Sequence, residues 1–386
     1  MTTNERFQAH ETADVVIIGG GVIGLMIGRA LARRGVRDVM LLERGSLGAE
    51  ASFAAGGILG PQAEANRADE FFELACQSRD LYHALARELL AETAIDIELE
   101  TNGTLYLAFT AADEAEIEKR YEWQTRAGLS LEKLSPGEAC RLEPNIAENV
   151  RVALLFPQDI QVDNRHLLRA LIAANEKLGV RLVTDTNVES VRTEHDRIIG
   201  VKTARGFIST PTVVLAAGAW TSFLANEDLA NAPRVQIEPV RGQMVCLQSN
   251  PRLARHILYS PRGYLVPRLD GRVLAGSTTE HVGFDRQVTI GGLHEILSHA
   301  LELAPTIASL PVVATWAGLR PRAEDALPVL GPCDIKGLFY ATAHYRNGIL
   351  LAPITGQLIA EAIVGNVISP GLSRFAPDRF DLVDVH

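Results

Sequence analysis

Near the N-terminus, two short apolar segments flank a glycine-rich turn. Residues 14–18, DVVII, have the pattern of a short buried strand, and the turn GGGVIG at 19–24 follows at once. A helix-like apolar run then continues to residue 32, and a second apolar segment at 39–42 ends at Glu43. This order predicts a strand–turn–helix–strand unit that opens a parallel sheet.

Further along the chain, apolar positions repeat near the helical period, and the flanking residues mark where helices begin and end. Asp163 can cap the start of one such helix, and Gly179 can close it. Another helix begins near Gly348, and one predicted helix is charged and solvated. The predicted helices cover 70–92, 112–126, 164–178 and 348–364.

Alternating apolar and polar positions predict strands elsewhere. Segment 97–109, IELETNGTLYLAF, predicts a hairpin with Asn102 and Gly103 at the positive-φ positions of its turn. Four short strands, VRLVT, NVESV, IIGVK and TVVLAAG, are predicted between 180 and 218. An antiparallel block spans roughly 233–317 and includes the hairpin GYLVPRLDGRVLAGS.

These alternating blocks predict an α/β protein of two interleaved domains, which suits a chain of 386 residues. The first is a Rossmann-like domain that binds a dinucleotide. The second is mainly an antiparallel sheet (α+β) that binds the substrate. The first domain is predicted at 13–88, 160–232 and 318–375, and the second at 89–159 and 233–317.

The turn at 19–24 has the spacing of a dinucleotide fingerprint. Gly19 permits the tight turn, Gly21 lets the backbone approach a pyrophosphate, and Gly24 lets the helix pack on the strand. The helix N-terminus offers free N–H groups to the phosphates. Glu43, nineteen residues beyond Gly24, is placed to accept hydrogen bonds from the adenosine ribose. The fingerprint alone does not distinguish FAD from NAD.

Composition narrows the class of partner. The formal charge of −10, from 47 acidic and 37 basic residues, argues against binding to nucleic acid or an anionic membrane. The polar N-terminus carries no apolar signal core, no membrane span is predicted, and we expect a soluble cytoplasmic protein. Four widely spaced cysteines and no Cys/His cluster favour reduced thiols and argue against a metal site.

Several segments resemble the D-amino-acid oxidase superfamily of FAD enzymes. LERGSLGAEASFAAGGILGP, which includes Glu43, resembles its second FAD contact, and TVVLAAGAW resembles its second flavin-domain motif. WAGLRPRAEDALPVLG and HYRNGILLAPITG resemble the glycine oxidases that supply thiazole synthesis in thiamine formation. The resemblance runs from 14 to 364 and implies that the dinucleotide is FAD.

The resemblance also implies which residues contact FAD. They include the phosphate turn, the adenosine site, the pyrophosphate segment, the adenine contact and the loop beside the isoalloxazine ring. In that order they are Gly19, Gly21, Val22, Ile23, Gly24, Glu43, Arg44, Ala51, Ser52, Gly56, Gly57, Ile58, Val188, Gly218, His344, Tyr345, Arg346, Asn347, Gly348, Ile349 and Leu350. A helix that begins at Gly348 would direct its free N–H groups at the flavin edge that gains negative charge on reduction.

Three substrate residues are implied in the same way. Arg320 would hold the substrate carboxylate through a bidentate fork, Tyr264 would add a hydrogen bond, and Arg346 would line the same pocket. Thr279 and Arg262 depart from the family pattern and leave the pocket's width and polarity open. Covalent relatives carry a cysteine near the position of Gly318. None is present there, so we expect non-covalent FAD.

The implied reaction is oxidation of glycine or a small D- or N-methyl amino acid. Hydride transfer to the flavin gives an imine, hydrolysis gives the oxo acid and ammonia, and oxygen is reduced to hydrogen peroxide. Alternatives are a D-amino-acid dehydrogenase that reduces a quinone or protein, an oxidase of sarcosine or D-proline, a flavoprotein subunit of a hetero-complex, and a non-catalytic binding module. The resemblance also points to a homotetramer.

Overall fold

The structure is a computed structural model that describes residues 11–224, 229–365 and 369–383. In these ranges the strands are β1 (Glu11–Thr12), β2 (Val15–Ile18), β3 (Val39–Leu42), β4 (Ile58–Leu59), β5 (Thr104–Ala108), β6 (Glu132–Leu134), β7 (Val152–Phe156), β8 (Ile160–Gln161), β9 (Arg181–Val183), β10 (Val188–Glu194), β11 (Arg197–Thr203), β12 (Gly206–Ser209), β13 (Val213–Leu215), β14 (Glu238–Gln248), β15 (Ile257–Tyr259), β16 (Tyr264–Pro267), β17 (Arg272–Gly276), β18 (Val312–Arg322), β19 (Val329–Pro332) and β20 (Leu338–Thr342).

Helices connect and cover these strands. The α-helices in the described ranges are α1 (Val22–Arg33), α2 (Ala51–Ala54), α3 (Pro61–Glu64), α4 (Glu70–Thr93), α5 (Ala111–Arg126), α6 (Pro136–Leu142), α7 (Asn164–Lys177), α8 (Ile290–Leu303) and α9 (Gly348–Gly365). Short 3₁₀ helices lie at Gly218–Leu224, Pro305–Ser309, Pro370–Phe375 and Pro377–Val383.

A six-stranded sheet forms the centre of the first domain, in the order β19-β20-β13-β2-β3-β9. β2 pairs in parallel with β3 on one side and β13 on the other, which confirms the predicted parallel unit. All four residues of β2 are buried because both faces of the sheet are covered.

Successive residues of β2 and β3 belong to different hydrophobic cores, because side chains alternate between the faces of a sheet. Val15, Ile17 and Leu41 pack with α1, α4, α7 and α9. Val16 and Ile18 pack toward the second layer, a four-stranded sheet in the order β1-β12-β11-β10. The first domain therefore has a helical layer, a parallel sheet and a smaller sheet.

An eight-stranded sheet forms the second domain, in the order β18-β14-β17-β16-β15-β5-β7-β6. Its pairs are antiparallel except β15 with β5. α6 and α8 cover one face, where Leu105, Val245 and Ile296 are buried together. The predicted mixture of a Rossmann-like domain and a mainly antiparallel domain is thus confirmed.

The predicted helices form close to their expected positions, at α4, α5, α7 and α9. Asp163 caps α7 as expected, since its side chain accepts hydrogen bonds from the Arg165 and His166 N–H groups. The hairpin at 263–277 also forms, as β16 and β17. The sequence analysis did not anticipate α8.

The hairpin predicted at 97–109 is wrong. β5 pairs with β7 and β15, whereas Glu100 pairs with Gln161 in the other part of the chain. Gly103 alone of the two turn residues has a positive φ, of 90°. Tertiary pairing overrides the local preference for a hairpin turn, because the segment before Gly103 buries Ile97 in the helical core of the first domain.

Two of the predicted domain boundaries fall inside regular elements. The 88/89 boundary lies within α4, and the 317/318 boundary lies within β18. Ile97 and Ala323 both belong to cores of the first domain. We therefore propose that the chain changes domain near residue 100 and near residue 322.

Helix α9 is apolar and long enough to span a membrane by length and composition alone. About two thirds of it, 67%, is buried inside the protein, as expected for a core helix. The four cysteines, all within the described residues, are free, as the sequence analysis expected.

Candidate active site

A cavity of about 480 Å³ runs along the carboxyl ends of the parallel strands and between the two domains. The glycine turn contributes Gly19 and Gly21 to its wall, and the start of α9 contributes Gly348. Tyr264 and Arg320 of the large sheet line the same cavity. The two segments that the sequence assigned to opposite ends of one cofactor therefore share one space.

The glycine turn allows α1 to approach β2 very closely. A Cβ atom on Gly24 would lie 2.0 Å from the Gly19 carbonyl oxygen, so no larger residue fits there. Gly19 has a φ of 116°, in a region that side chains other than glycine rarely adopt. The Ser52 hydroxyl accepts a hydrogen bond from the Val22 N–H at 3.0 Å and so joins the turn to α2.

Glu43 stands at the end of β3, where the adenosine of the dinucleotide is expected. Its carboxylate accepts hydrogen bonds from the N–H groups of Gly20, at 2.8 Å, and Gly45, at 2.9 Å. Next to it, the Arg44 guanidinium lies 3.6 Å from the centre of the Trp220 ring. Glu43 is thus held rigidly, and the contact with ribose stays a prediction.

Residues 280–287, here called the strap, reach from the large sheet to the adenosine part of the cavity. Phe284 of the strap lies 5.4 Å from Trp220 and 5.3 Å from Phe223, measured between ring centres. Arg286 of the strap donates a hydrogen bond to Glu50, at 2.8 Å. Trp220, Phe223 and Glu50 all line the cavity, so the strap closes over groups that surround it.

The loop that leads into α9 has an unusual backbone. Ala343 and Tyr345 have φ angles of 59° and 48°, and such left-handed non-glycine residues cluster at functional sites. His344 between them is buried, and its Nε2 lies 3.0 Å from the Thr355 hydroxyl. Burial lowers the pKa of His344 to about 3, so the ring is neutral at physiological pH.

Arg320 projects from β18 into the cavity. Its guanidinium donates hydrogen bonds to the Ser277 hydroxyl, at 2.7 Å, and the Thr278 carbonyl, at 3.0 Å. Within the described residues it forms no ion pair with a carboxylate. Burial lowers the pKa of Arg320, and pairing with a ligand carboxylate would compensate for the lost solvation.

Tyr264 and Arg346 lie beside Arg320. The Tyr264 hydroxyl contacts the Met244 sulfur at 3.4 Å, and its ring stacks on Tyr259 with 5.9 Å between centres. Arg346 donates a hydrogen bond to the Tyr259 hydroxyl at 3.3 Å and lies 3.8 Å from the Glu64 carboxylate. The charge of Glu64 raises the pKa of Arg346, which is therefore fixed as a cation.

The structure brings most of the predicted site residues to the cavity. Gly24 and Leu350 are the exceptions: Gly24 packs on Gly19, and Leu350 is buried with its carbonyl bonded to Ser78. The lining residues among those predicted are Gly19, Gly21, Val22, Ile23, Glu43, Arg44, Ala51, Ser52, Gly56, Gly57, Ile58, Val188, Gly218, Tyr264, Arg320, His344, Tyr345, Arg346, Asn347, Gly348 and Ile349.

Sequence reasoning missed other lining residues, above all Glu64, Trp220 and Gly242. Glu64 lies three residues after the motif LERGSLGAEASFAAGGILGP, and no spacing rule distinguishes it from other acidic residues. Gly242 lies in the middle of β14, within the antiparallel block predicted at roughly 233–317, and a glycine inside a strand often marks a close approach of another group.

The two departures from the family pattern lie outside the cavity wall. Arg262 forms ion pairs with Asp113, at 2.8 Å, and Glu302, at 2.8 Å. Thr279 is exposed and does not line the cavity. Neither residue therefore forms part of the cavity wall, so the departures from the family pattern do not alter its width or polarity directly.

These features fit FAD. The cavity is long enough to be lined by both the phosphate turn and the start of α9, and each helix presents first-turn N–H groups without intrahelical acceptors. A Cβ atom on Gly218, at the cavity wall, would meet no atom within 4 Å, which leaves open space for a ligand. The described residues hold no cluster of metal ligands.

A Rossmann-like domain with this cavity is joined to an antiparallel domain that supplies Arg320, which has no carboxylate partner among the described residues. Together these features are typical of a flavin-dependent oxidoreductase. The comparison with known families agrees: residues 14–362 match the family described as FAD dependent oxidoreductase (DAO). The chain belongs to this family, and FAD is its cofactor.

Named relatives are similar over nearly the whole chain. Glycine oxidase from Geobacillus kaustophilus is 38% identical over 370 residues, which cover 95% of this chain and 97% of the relative. Glycine oxidase from Pseudomonas aeruginosa is 36% identical over 94% of this chain and 98% of its own. A bifunctional ThiO/ThiG protein from Trichormus variabilis is 36% identical, but the match covers only 55% of that protein.

Solved structures show the same relationship. The crystal structure of the Geobacillus kaustophilus glycine oxidase has a TM-score of 0.91 at 37% identity and covers 96% of this chain and 99% of its own. L-Proline dehydrogenase from P. horikoshii has a TM-score of 0.86 at 25% identity, covering 98% of this chain and all of its own.

Proposed function

We propose that this enzyme oxidises the C–N bond of glycine or another small amino acid, with oxygen as the electron acceptor. The observation that carries the proposal is Arg320, a guanidinium in the cavity without a carboxylate partner among the described residues. A guanidinium matches a carboxylate with two parallel hydrogen bonds, and every amino acid offers one. The similarity to glycine oxidases supports the choice of a small substrate.

Arg320, Tyr264 and Arg346 have different roles in substrate binding. Arg320 holds the carboxylate, and the Tyr264 hydroxyl, whose one contact among the described residues is the weak one with Met244, adds a hydrogen bond. Arg346 remains beside them, paired with Glu64. Fixing the amino acid at its carboxylate sets the direction of its Cα–H bond, and such orientation supplies much of the catalysis.

FAD held between the glycine turn and the start of α9 would supply the redox chemistry, as acceptor of the substrate hydride and donor of electrons to oxygen, which is reduced to hydrogen peroxide. The protein contributes electrostatics: the first-turn N–H groups of α9, at Gly348 and Ile349, favour negative charge near them. His344 stays neutral through burial and adds no positive charge. The amino acid needs only to bind with its amine deprotonated, so no side chain of the cavity has to act as a general base.

A second candidate is a dehydrogenase that passes electrons to a quinone or a protein. The structural similarity to an L-proline dehydrogenase favours keeping this alternative. Oxygen consumption measured beside dye reduction separates the two activities. A rate that depends on the dye and consumes no oxygen would contradict the oxidase proposal.

Other features of the proposal rest on the sequence. Non-covalent FAD is supported by the position of the four cysteines, none of which lines the cavity. The match to the ThiO half of bifunctional ThiO/ThiG proteins supports a place in thiamine formation. A cytoplasmic homo-oligomer is proposed on the resemblance alone, and light scattering of the purified protein tests it.

One experiment tests the main proposal. The purified chain should be yellow, release FAD on denaturation, and produce peroxide with members of a panel of glycine, sarcosine, D-alanine and D-proline. The primary amines glycine and D-alanine should also release ammonia. The preferred substrate should be the member with the highest kcat/KM. A protein that binds FAD but oxidises none of the panel would contradict the proposal.

A further inference from the structure

The short segment that carries Glu64 is held in place by two buried charged groups. The Asp159 carboxylate accepts hydrogen bonds from the Gln62 N–H at 3.2 Å and the Ala63 N–H at 3.1 Å. On the other side, Arg120 of α5 donates hydrogen bonds to the Ala63 carbonyl at 2.9 Å and the Ala65 carbonyl at 2.7 Å, which flank Glu64. Asp159 and Arg120 are both buried, so the position of Glu64 is closely fixed.

From this position Glu64 points into the cavity beside the substrate residues. Its carboxylate lies 3.8 Å from the Arg346 guanidinium and accepts a hydrogen bond from the Tyr259 hydroxyl at 3.5 Å. Tyr259 in turn accepts a hydrogen bond from Arg346 at 3.3 Å. Glu64, Tyr259 and Arg346 therefore form a connected group whose charges cancel.

The cavity wall thus carries two guanidinium groups and one carboxylate close to the expected substrate. Arg346 has Glu64 as its counterion, whereas Arg320 has none among the described residues. Both arginines line the same cavity, and the positive charge of Arg346 helps to lower the pKa of Arg320. The positive charge of Arg320 therefore remains available to pair with a carboxylate of the ligand.

We propose that Glu64 determines specificity, because it neutralises Arg346 and so restricts the pocket to substrates that carry a single carboxylate. The inference rests on the proposed function only in that Arg320 binds the substrate carboxylate. A ligand with a second carboxylate would meet Glu64 at the place where Arg346 could otherwise receive it. Like charges brought together in an interface are strongly unfavourable.

The charge of Glu64 is removed most simply by Glu64→Gln, which keeps the size and the ability to accept a hydrogen bond from Tyr259. Arg346 would then be free to form a charge-assisted pair with a second carboxylate. A matched control is Glu302→Gln, which removes one carboxylate from the Arg262 cluster outside the cavity. Glu64→Ala serves as a second variant with a different side chain.

The experiment titrates the oxidised FAD-loaded enzymes with two ligands that cannot be deaminated and follows the flavin absorbance. Diglycolate carries two carboxylates, and ethoxyacetate has a similar length with one. Far-UV circular dichroism and bound FAD per chain establish that each variant is folded and loaded. The measured quantity is the ratio of the two dissociation constants.

We expect the wild type and Glu302→Gln to prefer ethoxyacetate, and Glu64→Gln to shift the ratio toward diglycolate by about tenfold or more. Glu64→Ala should shift it in the same direction. An unchanged ratio in both Glu64 variants would overturn the inference. If the ratio is unchanged and glycine also binds more weakly, the inference is overturned in favour of a contact between Glu64 and the substrate amine.

Failure of the proposed function gives a different result. A wild type that binds ethoxyacetate but oxidises no amino acid contradicts the reaction and leaves the ratio test intact. A wild type that binds neither ligand contradicts both, because Arg320 would not be a carboxylate site.

Discussion

The guanidinium of Arg320 lies directly over Gly242 on the neighbouring strand. A Cβ atom on Gly242 would be 2.2 Å from the Arg320 Nη2 atom, so the arginine keeps its position only because residue 242 has no side chain. β14 and β18 pair so that Val240 stands opposite Arg320 and Gly242 opposite Gly318. The position of Arg320, the proposed substrate arginine, therefore depends on a strand that lies roughly 70–80 positions earlier in the sequence.

Gly242→Ala should displace Arg320 without unfolding the protein, because a flexible side chain moves more easily than the backbone. Arg320 would lose its hydrogen bonds to Ser277 and Thr278, and KM for the substrate should rise about tenfold, the equivalent of ~1.4 kcal/mol. The measurement is steady-state kinetics with the FAD content checked. Gly291→Ala, where a Cβ atom meets nothing within 4 Å, is the control and should leave KM unchanged.

Arg320→Ala should weaken substrate binding by about 2–5 kcal/mol, because a buried carboxylate loses its charged partner. Titration of the reduced or oxidised flavin spectrum with a carboxylate ligand, beside steady-state kinetics, measures the loss. The control is Arg322→Ala on the same strand, whose guanidinium pairs with Glu238 instead of lining the cavity. Unchanged ligand affinity in Arg320→Ala would remove this residue from the substrate site.

Phe284→Ala should weaken FAD retention, because the strap would lose its packing on Trp220 and Phe223. Aromatic pairs contribute roughly 0.5–1.5 kcal/mol beyond burial, so FAD should dissociate about 2–10 times faster. Dissociation is followed by the rise of flavin fluorescence after dilution. Ile290→Ala removes a comparably apolar but highly exposed side chain, 88% accessible, and should have no effect.

Asp159 should make stability depend on pH. Burial raises its pKa to about 7, from an ordinary value of 3.8, so the folded state binds a proton that the unfolded state releases between these values. Its contribution to stability is complete below pH 3.8 and is lost as pH rises through 7. Each pKa unit corresponds to about 1.4 kcal/mol.

Asp159→Asn mimics the protonated acid and removes this dependence. The variant should be close to the wild type in stability at pH 5 and more stable relative to it at pH 8. Thermal unfolding at the two pH values measures the difference. Asp378→Asn, at an exposed position, is the control and should not change the pH dependence. If Asp159→Asn differed from the wild type in unfolding temperature by the same amount at pH 5 and at pH 8, the expectation would be contradicted.

Much of the first domain could be predicted from local pattern. The strand at 14–18, the glycine turn and α1 form one continuous unit, and the cap at Asp163 lies next to the helix that it starts. Such features depend on residues within a few positions of one another. The same holds for the start of α9 at Gly348, which follows directly from the loop before it.

The sequence did not predict features that depend on contacts with distant segments of the chain. Asn102 and Gly103 have the sequence of a hairpin turn, yet the chain before them pairs with Gln161 and the chain after them with β7 and β15. Arg262 departs from the family pattern, and the sequence left its effect on the pocket open. In the fold its side chain turns toward Asp113 and Glu302.

By itself the sequence determined the parallel unit, the glycine turn and the family, and it predicted Arg320 as a substrate residue. Each of these depends on a short run of residues whose chemistry is local. Only the tertiary structure decided that Glu64 faces Arg346 and that Gly242 makes room for Arg320. Those contacts join segments separated by roughly 80 to 280 positions, and the packing of one strand or loop against another fixes them. No pattern along a single segment carries that information.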